Sequence, residues 1–235
     1  MCTVEFMKVK RHYLLLVSIS MVFLSALLAV FQIMGSDGAV ESYAALTEGI
    51  VWNNVTLFFP LIITFFGGFL INREYIDDTW KNNLIISSSY PKIIRAKIFT
   101  VGIITIVFSV LSFSFTLVFA IVLKYPIMIS EIVSSFFVIL LTALTCFISV
   151  VPIIVIFTRR KNLFLVGTGV AFIYGFCGIF IANTKFVGIY PPAVGLALTY
   201  YKSGTSSSAS SILIMVLCLC ISAFLLKYVK GGVYD

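Results

Sequence analysis

The sequence predicts an all-α polytopic membrane protein with six transmembrane helices. Three observations carry this: the composition, six charge-free apolar stretches of spanning length, and a one-sided distribution of basic residues over the connections. Of the 235 residues, 61% are hydrophobic and 11% charged, and the mean hydropathy is +1.14. A soluble domain carries about 25% charged residues. A chain this apolar has too few charges to cover a water-facing surface, so its solvent is largely lipid. Disorder, collagen, coiled coil and nucleic-acid binding are excluded by the same composition. The net charge of +7 is a signal of topology rather than of a polyanionic ligand.

A helix needs about 20 apolar residues to cross a bilayer. Stretches of that order run roughly over 13–34, 50–72, 98–123, 132–157, 162–182 and 210–226, and none contains Asp, Glu, Lys or Arg. Charge is costly in hydrocarbon, so its absence over these stretches is the expected pattern. The first run follows Lys8, Lys10 and Arg11 and resembles a signal peptide at a glance. It is longer than the usual apolar region of about 7–15 residues, and it reads as a retained first span. Residues 1–12 read as an elbow ahead of it, within a single transmembrane domain over 1–235.

The connections sort by charge. One set carries Lys8, Lys10, Arg11, then Arg73, Lys81, Lys92, Arg95, Lys97, then Arg159, Arg160, Lys161, and finally Lys227 and Lys230. The other set holds Lys124, Lys185 and Lys202 together with Asp37, Glu41, Glu48 and Glu131. Positive residues mark the cytoplasmic face. Both termini are therefore predicted inside.

Helix punctuation agrees with the spans. Ser130 before Glu131 suits the start of the fourth helix as an N-cap with an acidic first turn. Pro91 suits the first turn of the third, where a missing N–H costs nothing, and Asn183 suits the end of the fifth. The outer segment from Thr184 to Ser210 begins too apolar for a solvated loop. Pro191 and Pro192 divide it, which predicts two short re-entrant helices in the outer leaflet, shielded by protein.

Several chemistries are absent from the pattern. The single histidine, His12, sits in the basic tail, and Cys146, Cys177, Cys218 and Cys220 lie in apolar runs, where a free thiol behaves as a small hydrophobe. Cys218 and Cys220 are two apart and point to different helix faces. No metal site and no catalytic residue is expected. No carboxylate falls within a span to carry protons, and no G-x-x-x-x-G-K-[ST] loop is present to bind ATP. Work done by this chain must be powered from outside it.

The second connection, residues 73–97, holds the informative cytoplasmic feature. Asp77, Asp78 or Thr79 can cap a short helix over roughly 80–86, with Trp80, Leu84 and Ile85 toward one face and Lys81 and Asn82 on others. By composition this is an interfacial anchor or a docking element for a soluble subunit. The block Arg73-Glu74 through Asp77-Asp78-Thr79-Trp80-Lys81, then Tyr90-Pro91 and Lys97, resembles a segment of ABC-2 type permeases. The residues Glu5 to Arg11 and the six spans are similar to that family too. The Asp-Asp-Thr-Trp-Lys version is most similar to the family's small permeases of lantibiotic, bacteriocin and bacitracin immunity exporters, whereas the family's usual Gly before Thr is Asp78 here.

The resemblance implies a coupling helix formed around Glu74, Asp77, Asp78, Thr79, Trp80, Lys81 and Leu84, docked on an ABC ATP-binding subunit. ATP and Mg would sit on that partner, with no cofactor on this chain. It implies a homodimer or a heterodimer with a second permease in a bacterial cell membrane, in contact with membrane lipids. The implied function is export of a hydrophobic or cationic antimicrobial peptide; the alternative is a non-energised structural or channel-forming protein.

Polar and small stripes supply candidates for the path and for packing. Thr105, Ser109, Ser112 and Thr116 share one face of span three. Ser135, Thr142, Thr145 and Ser149 cluster on span four. Such hydroxyls bond the preceding helical turn or a neighbouring helix, or contact a substrate. Asn53, Asn54 and Thr56 stand toward the outer end of span two, which the resemblance makes a path candidate. Gly167, Ala171 and Gly175 on span five permit a close helix approach. Spacing allows internal packing or a dimer contact there, and the resemblance favours the dimer contact.

Overall fold

The computed structural model describes residues 13–35, 42–76, 90–158, 162–199 and 208–228, and every regular element among them is helical. In order these are α1 (Leu14–Met34), α2 (Tyr43–Asn53), a π turn (Asn54–Phe58), α3 (Phe59–Ile76), α4 (Tyr90–Val122), α5 (Ile129–Phe157), α6 (Phe164–Ala182), a 3-10 turn (Pro191–Ala193), α7 (Val194–Thr199) and α8 (Ser208–Tyr228). Among the described residues, six helical stretches are long and apolar enough to cross a membrane: Leu14–Met34, Tyr43–Arg73, Lys92–Val122, Ile129–Phe157, Phe164–Ala182 and Ala209–Lys227. They correspond one to one with the six apolar runs of the sequence.

The second stretch is the centre of the bundle. Within its most apolar window 72% is buried, against 22% for the last stretch. Phe59, Ile62, Ile63 and Phe66 of α3 pack with Ile104 and Phe108 of α4 and with Ala143, Cys146, Val150 and Ile154 of α5. The peripheral helices keep apolar side chains outward, among them Phe31 on α1, Ile173 and Phe180 on α6, and Leu213 and Phe224 on α8. An apolar outer surface suits hydrocarbon, because the bilayer exacts no penalty for it.

Pro60 accounts for the break within the second stretch. It offers no N–H to the Thr56 carbonyl, and in an unbroken α-helix its ring would strike that carbonyl. The chain answers with the π turn just before it, where the Phe59 N–H reaches back to the Asn54 carbonyl. Such turns insert an extra residue without ending the helix. The Thr56 carbonyl, left without its α-helical donor, faces α6.

Helix boundaries differ from the sequence reading in three places. The second stretch begins at Tyr43, not near 50, because the Ser42 hydroxyl caps it by accepting the Ala45 N–H at 3.2 Å. This places Glu48 on the helix. α5 begins at Ile129 with Met128 as its N-cap, not Ser130: the Glu131 carboxylate reaches back to the Met128 N–H at 3.2 Å and fixes the earlier start. Around the Pro191-Pro192 pair there is one short helical piece rather than two. Residues 184–190 form turns, closed by the Ile189 N–H to the Phe186 carbonyl at 2.9 Å, since a following proline disfavours the helical region for the residue before it. Pro91 is the second residue of α4 and Asn183 the C-cap of α6, as their chemistry suggests.

Candidate functional site

At one end of the bundle the two flanks of the 73–97 connection are tied together. Lys97 is buried, and its Nζ donates to the Leu70 carbonyl of α3 at 2.8 Å. Two residues on, the Asn72 side chain accepts the Asn162 N–H at 2.8 Å. Asn162 has φ 65, a left-handed conformation that asparagine tolerates better than most residues, and it leads directly into α6. The end of α3 is thus bonded to the first turns of α4 and to the start of α6. Of the coupling candidates, Glu74 falls in the last turn of α3. Asp77, Asp78, Thr79, Trp80, Lys81 and Leu84 lie outside the described residues, as does the elbow over 1–12.

The path candidates all lie inside the chain. Asn53, Asn54, Thr56, Thr105, Ser109, Ser112 and Thr116 are each at most 2% exposed. The two asparagines anchor a seam between three helices. The Ser25 hydroxyl of α1 donates to Asn54 Oδ1 at 2.6 Å, and Asn54 Nδ2 donates to Ser112 Oγ of α4 at 2.8 Å. Asn53 and Gln32 exchange amide hydrogen bonds at 3.0 and 3.4 Å. The remaining hydroxyls bond their own helices: Thr56 to the Trp52 carbonyl, Thr105 to Val101, Ser109 to Ile106 and Thr116 to Ser112, at 2.8–2.9 Å. Sequence reading missed Ser25 and Gln32. They are seven apart on α1, the spacing of one helix face, and that periodicity was the available signal.

The stripe on α6 also faces inward. A Cβ on Gly175 would stand 2.6 Å from Pro60 Cγ and 2.7 Å from the Thr56 carbonyl oxygen. A Cβ on Gly167 would stand 2.6 Å from Phe157 Cβ, and Ala171 is fully buried. The glycine at 175 therefore fits on the carbonyl that Pro60 leaves exposed. The lipid-type surface of α6 is its opposite face, with Leu165, Ile173 and Phe180.

The span-four hydroxyls are occupied likewise. Ser135, Thr142, Thr145 and Ser149 bond the preceding turn of α5. Gly195 of α7 seats on this face, where a Cβ would lie 2.5 Å from Thr145 Oγ1 and 3.0 Å from Thr142 Cα. The Tyr190 hydroxyl, just before the 3-10 turn, donates to the Tyr174 carbonyl and fixes the segment against α6. Burial, with the Cys177 thiol nearby, pushes the Tyr190 phenol up to about 12, so it remains a donor.

At the opposite end of the bundle from Lys97, a cavity of about 130 Å³ lies between α2 and α5. Tyr43, Thr47, Glu131, Ser134 and Ser135 line it with Ala44 and Val138. The Tyr43 hydroxyl and Ser135 Oγ are 2.5 Å apart. Of the hydroxyl stripes singled out in the sequence, this cavity takes in Ser135.

Comparison with known proteins places this architecture. No curated protein and no solved structure matches the chain. One family model, described as ABC-2 family transporter protein, matches residues 1–178, which takes in the first five of the six membrane-length stretches apart from the final turn of α6. The match covers most of the chain and agrees with the six-helix arrangement, and the chain belongs to the ABC-2 family of transporter proteins.

Proposed function

We propose that this chain is the permease subunit of an ATP-binding cassette exporter. It moves a hydrophobic or cationic antimicrobial peptide across a bacterial cell membrane, for self-immunity or peptide secretion. Membership of the ABC-2 family over residues 1–178 is the observation that carries this reading. Both termini face the cytoplasm, and a separate ATPase docks on the 73–97 connection through Glu74, Asp77, Asp78, Thr79, Trp80, Lys81 and Leu84. The tie of Lys97 to Leu70 and of Asn72 to Asn162 supports it. Through these bonds a push on the connection reaches α3, α4 and α6 together. The permease works as a homodimer or beside a second permease. Asn53, Asn54, Thr56, Thr105, Ser109, Ser112 and Thr116, buried in the present conformation, form the path when α1 parts from α2 and α4. The ATPase supplies the free energy for that opening.

The test is affinity isolation of the tagged full-length chain from its native membrane, in mild detergent. An ATP-binding subunit is expected to co-purify with the intact chain and to be lost on deletion of residues 76–86. Equal recovery with and without those residues overturns the docking role. Absence of any nucleotide-binding partner favours a non-energised membrane protein instead.

A further inference from the structure

The cavity between α2 and α5 has an unusual hydrogen-bond inventory. Ser135 Oγ lies 3.0 Å from the Ile132 carbonyl, which can only accept, so the serine proton goes there. The Tyr43 hydroxyl must then donate to Ser135 Oγ. The Thr47 proton goes to the Tyr43 carbonyl at 3.0 Å. Tyr43, Thr47 and Ser135 are all at most 4% exposed, so these assignments leave little room for solvent to substitute. Glu131 adds a carboxylate, of which Oε2 takes the Met128 N–H. The wall therefore has lone pairs remaining on Tyr43 Oη, Thr47 Oγ1 and the carboxylate, with its buried hydroxyl protons already committed. Ser134 stands exposed at the rim.

Two helices begin here, and helix starts favour negative charge. That charge is built in as Glu131, and the Ser42 hydroxyl already meets the Ala45 N–H of α2. The cavity's buried wall has no uncommitted hydroxyl donor, the Ser134 hydroxyl being at the rim. A primary ammonium carries three N–H donors and no acceptor, and hydrogen bonds to an ionised carboxylate are the strong ones. A quaternary ammonium has no N–H to offer, and a carboxylate or phosphate meets the charge of Glu131 and buried hydroxyls whose protons are already committed. A volume of about 130 Å³ admits an ammonium with the carbons that bear it.

We infer that the cavity formed by Tyr43, Thr47, Glu131 and Ser135 is a binding site for a primary ammonium group. The group comes from a lysine side chain of a peptide or from an ethanolamine lipid headgroup. The site goes beyond the transport reading and does not depend on it: a chain with no ATPase partner would still bind the ammonium, and an exporter without this site would still export.

Saturation-transfer NMR with ethylammonium on the purified full-length chain tests this. Saturable binding is expected, with tetramethylammonium at equal ionic strength failing to compete. Glu131→Gln retains an oxygen for the Met128 N–H and removes the charge, and it is expected to weaken ethylammonium binding about tenfold or more. Thr47→Val removes one acceptor at nearly constant shape, and a several-fold loss is expected. Should Glu131→Gln fail to fold, Thr47→Val and the selectivity of the unaltered protein still decide. The two sources separate by competition. Displacement by phosphatidylethanolamine nanodiscs but not by phosphatidylcholine ones assigns a lipid headgroup, and displacement by Nα-acetyl-lysine amide assigns a peptide. Equal binding of tetramethylammonium, unchanged binding by both variants, or no competition from either source overturns the assignment and leaves a cavity filled by water.

Discussion

Lys97 Nζ donates to the carbonyl of Leu70 at 2.8 Å from a side chain that is only 2% exposed. Lysine is among the residues least often buried, and this one bridges the two helices that flank the 73–97 connection. Leu70 lies well inside α3, whose regular bonding continues to Ile76. Its carbonyl therefore keeps a helical donor whether or not the lysine is there. The lysine adds a cross-link rather than rescuing an orphaned group.

Lys97→Met keeps the length of the side chain and removes the donor. Replacing a buried charge by an apolar side chain of similar volume is often close to neutral for stability. Thermal unfolding in detergent is expected to shift by no more than about 1 kcal/mol equivalent, the scale of one net hydrogen bond. Peptide-stimulated ATPase activity of the assembled complex is expected to fall several-fold, because α3 and α4 no longer move together.

Gly175→Ala places a methyl 2.6 Å from Pro60 Cγ and 2.7 Å from the Thr56 oxygen. Neither the ring nor a backbone carbonyl can swing aside, so overpacking of about 1–3 kcal/mol is expected. Gly169→Ala, with nothing within 4 Å of the new Cβ, is the matched control. It is expected to be neutral or slightly stabilising, since alanine is the better helix former. Equilibrium unfolding of the two variants checks the difference.

The membrane spans were legible in the sequence because hydrocarbon thickness sets a length, and charge marks where that length ends. The partners of each helix face were not. The Gly167–Ala171–Gly175 stripe announces a close approach, but the object approached is a carbonyl released by Pro60, a relation between two distant segments. Hydroxyl periodicity on α4 was visible, whereas Ser25 and Gln32 were missed because two polar residues in a long apolar run resemble incidental substitutions. The start of α5 was misplaced because Ser130 has the better intrinsic cap, and a carboxylate three residues after Met128 overrides it.

Asn54→Leu is expected to destabilise the bundle by about 1–2 kcal/mol, the range of interhelical polar contacts in membranes. It leaves both Ser25 and Ser112 without their partner. A double-mutant cycle with Ser25→Ala is expected to show coupling, because the hydroxyl and the amide share one bond. Additive losses would show that the 2.6 Å contact carries no net energy.

Ser112→Cys reports whether the seam opens. The position is fully buried, so a water-soluble maleimide is expected to leave it unmodified in the resting assembly. Labelling is expected to rise at least tenfold during ATP turnover if these residues line the path. Protection throughout turnover would assign Ser112, and Asn54 with it, to helix packing alone.

The most direct measurement is uptake of a fluorescent cationic amphipathic peptide into inside-out vesicles that contain this chain and its co-purifying ATPase. Expected is accumulation that requires ATP, stops when the ATPase loses its phosphate-binding lysine, and stops when residues 76–86 are deleted from this chain. Peptide passage that continues at the same rate without nucleotide would contradict an ATP-driven permease.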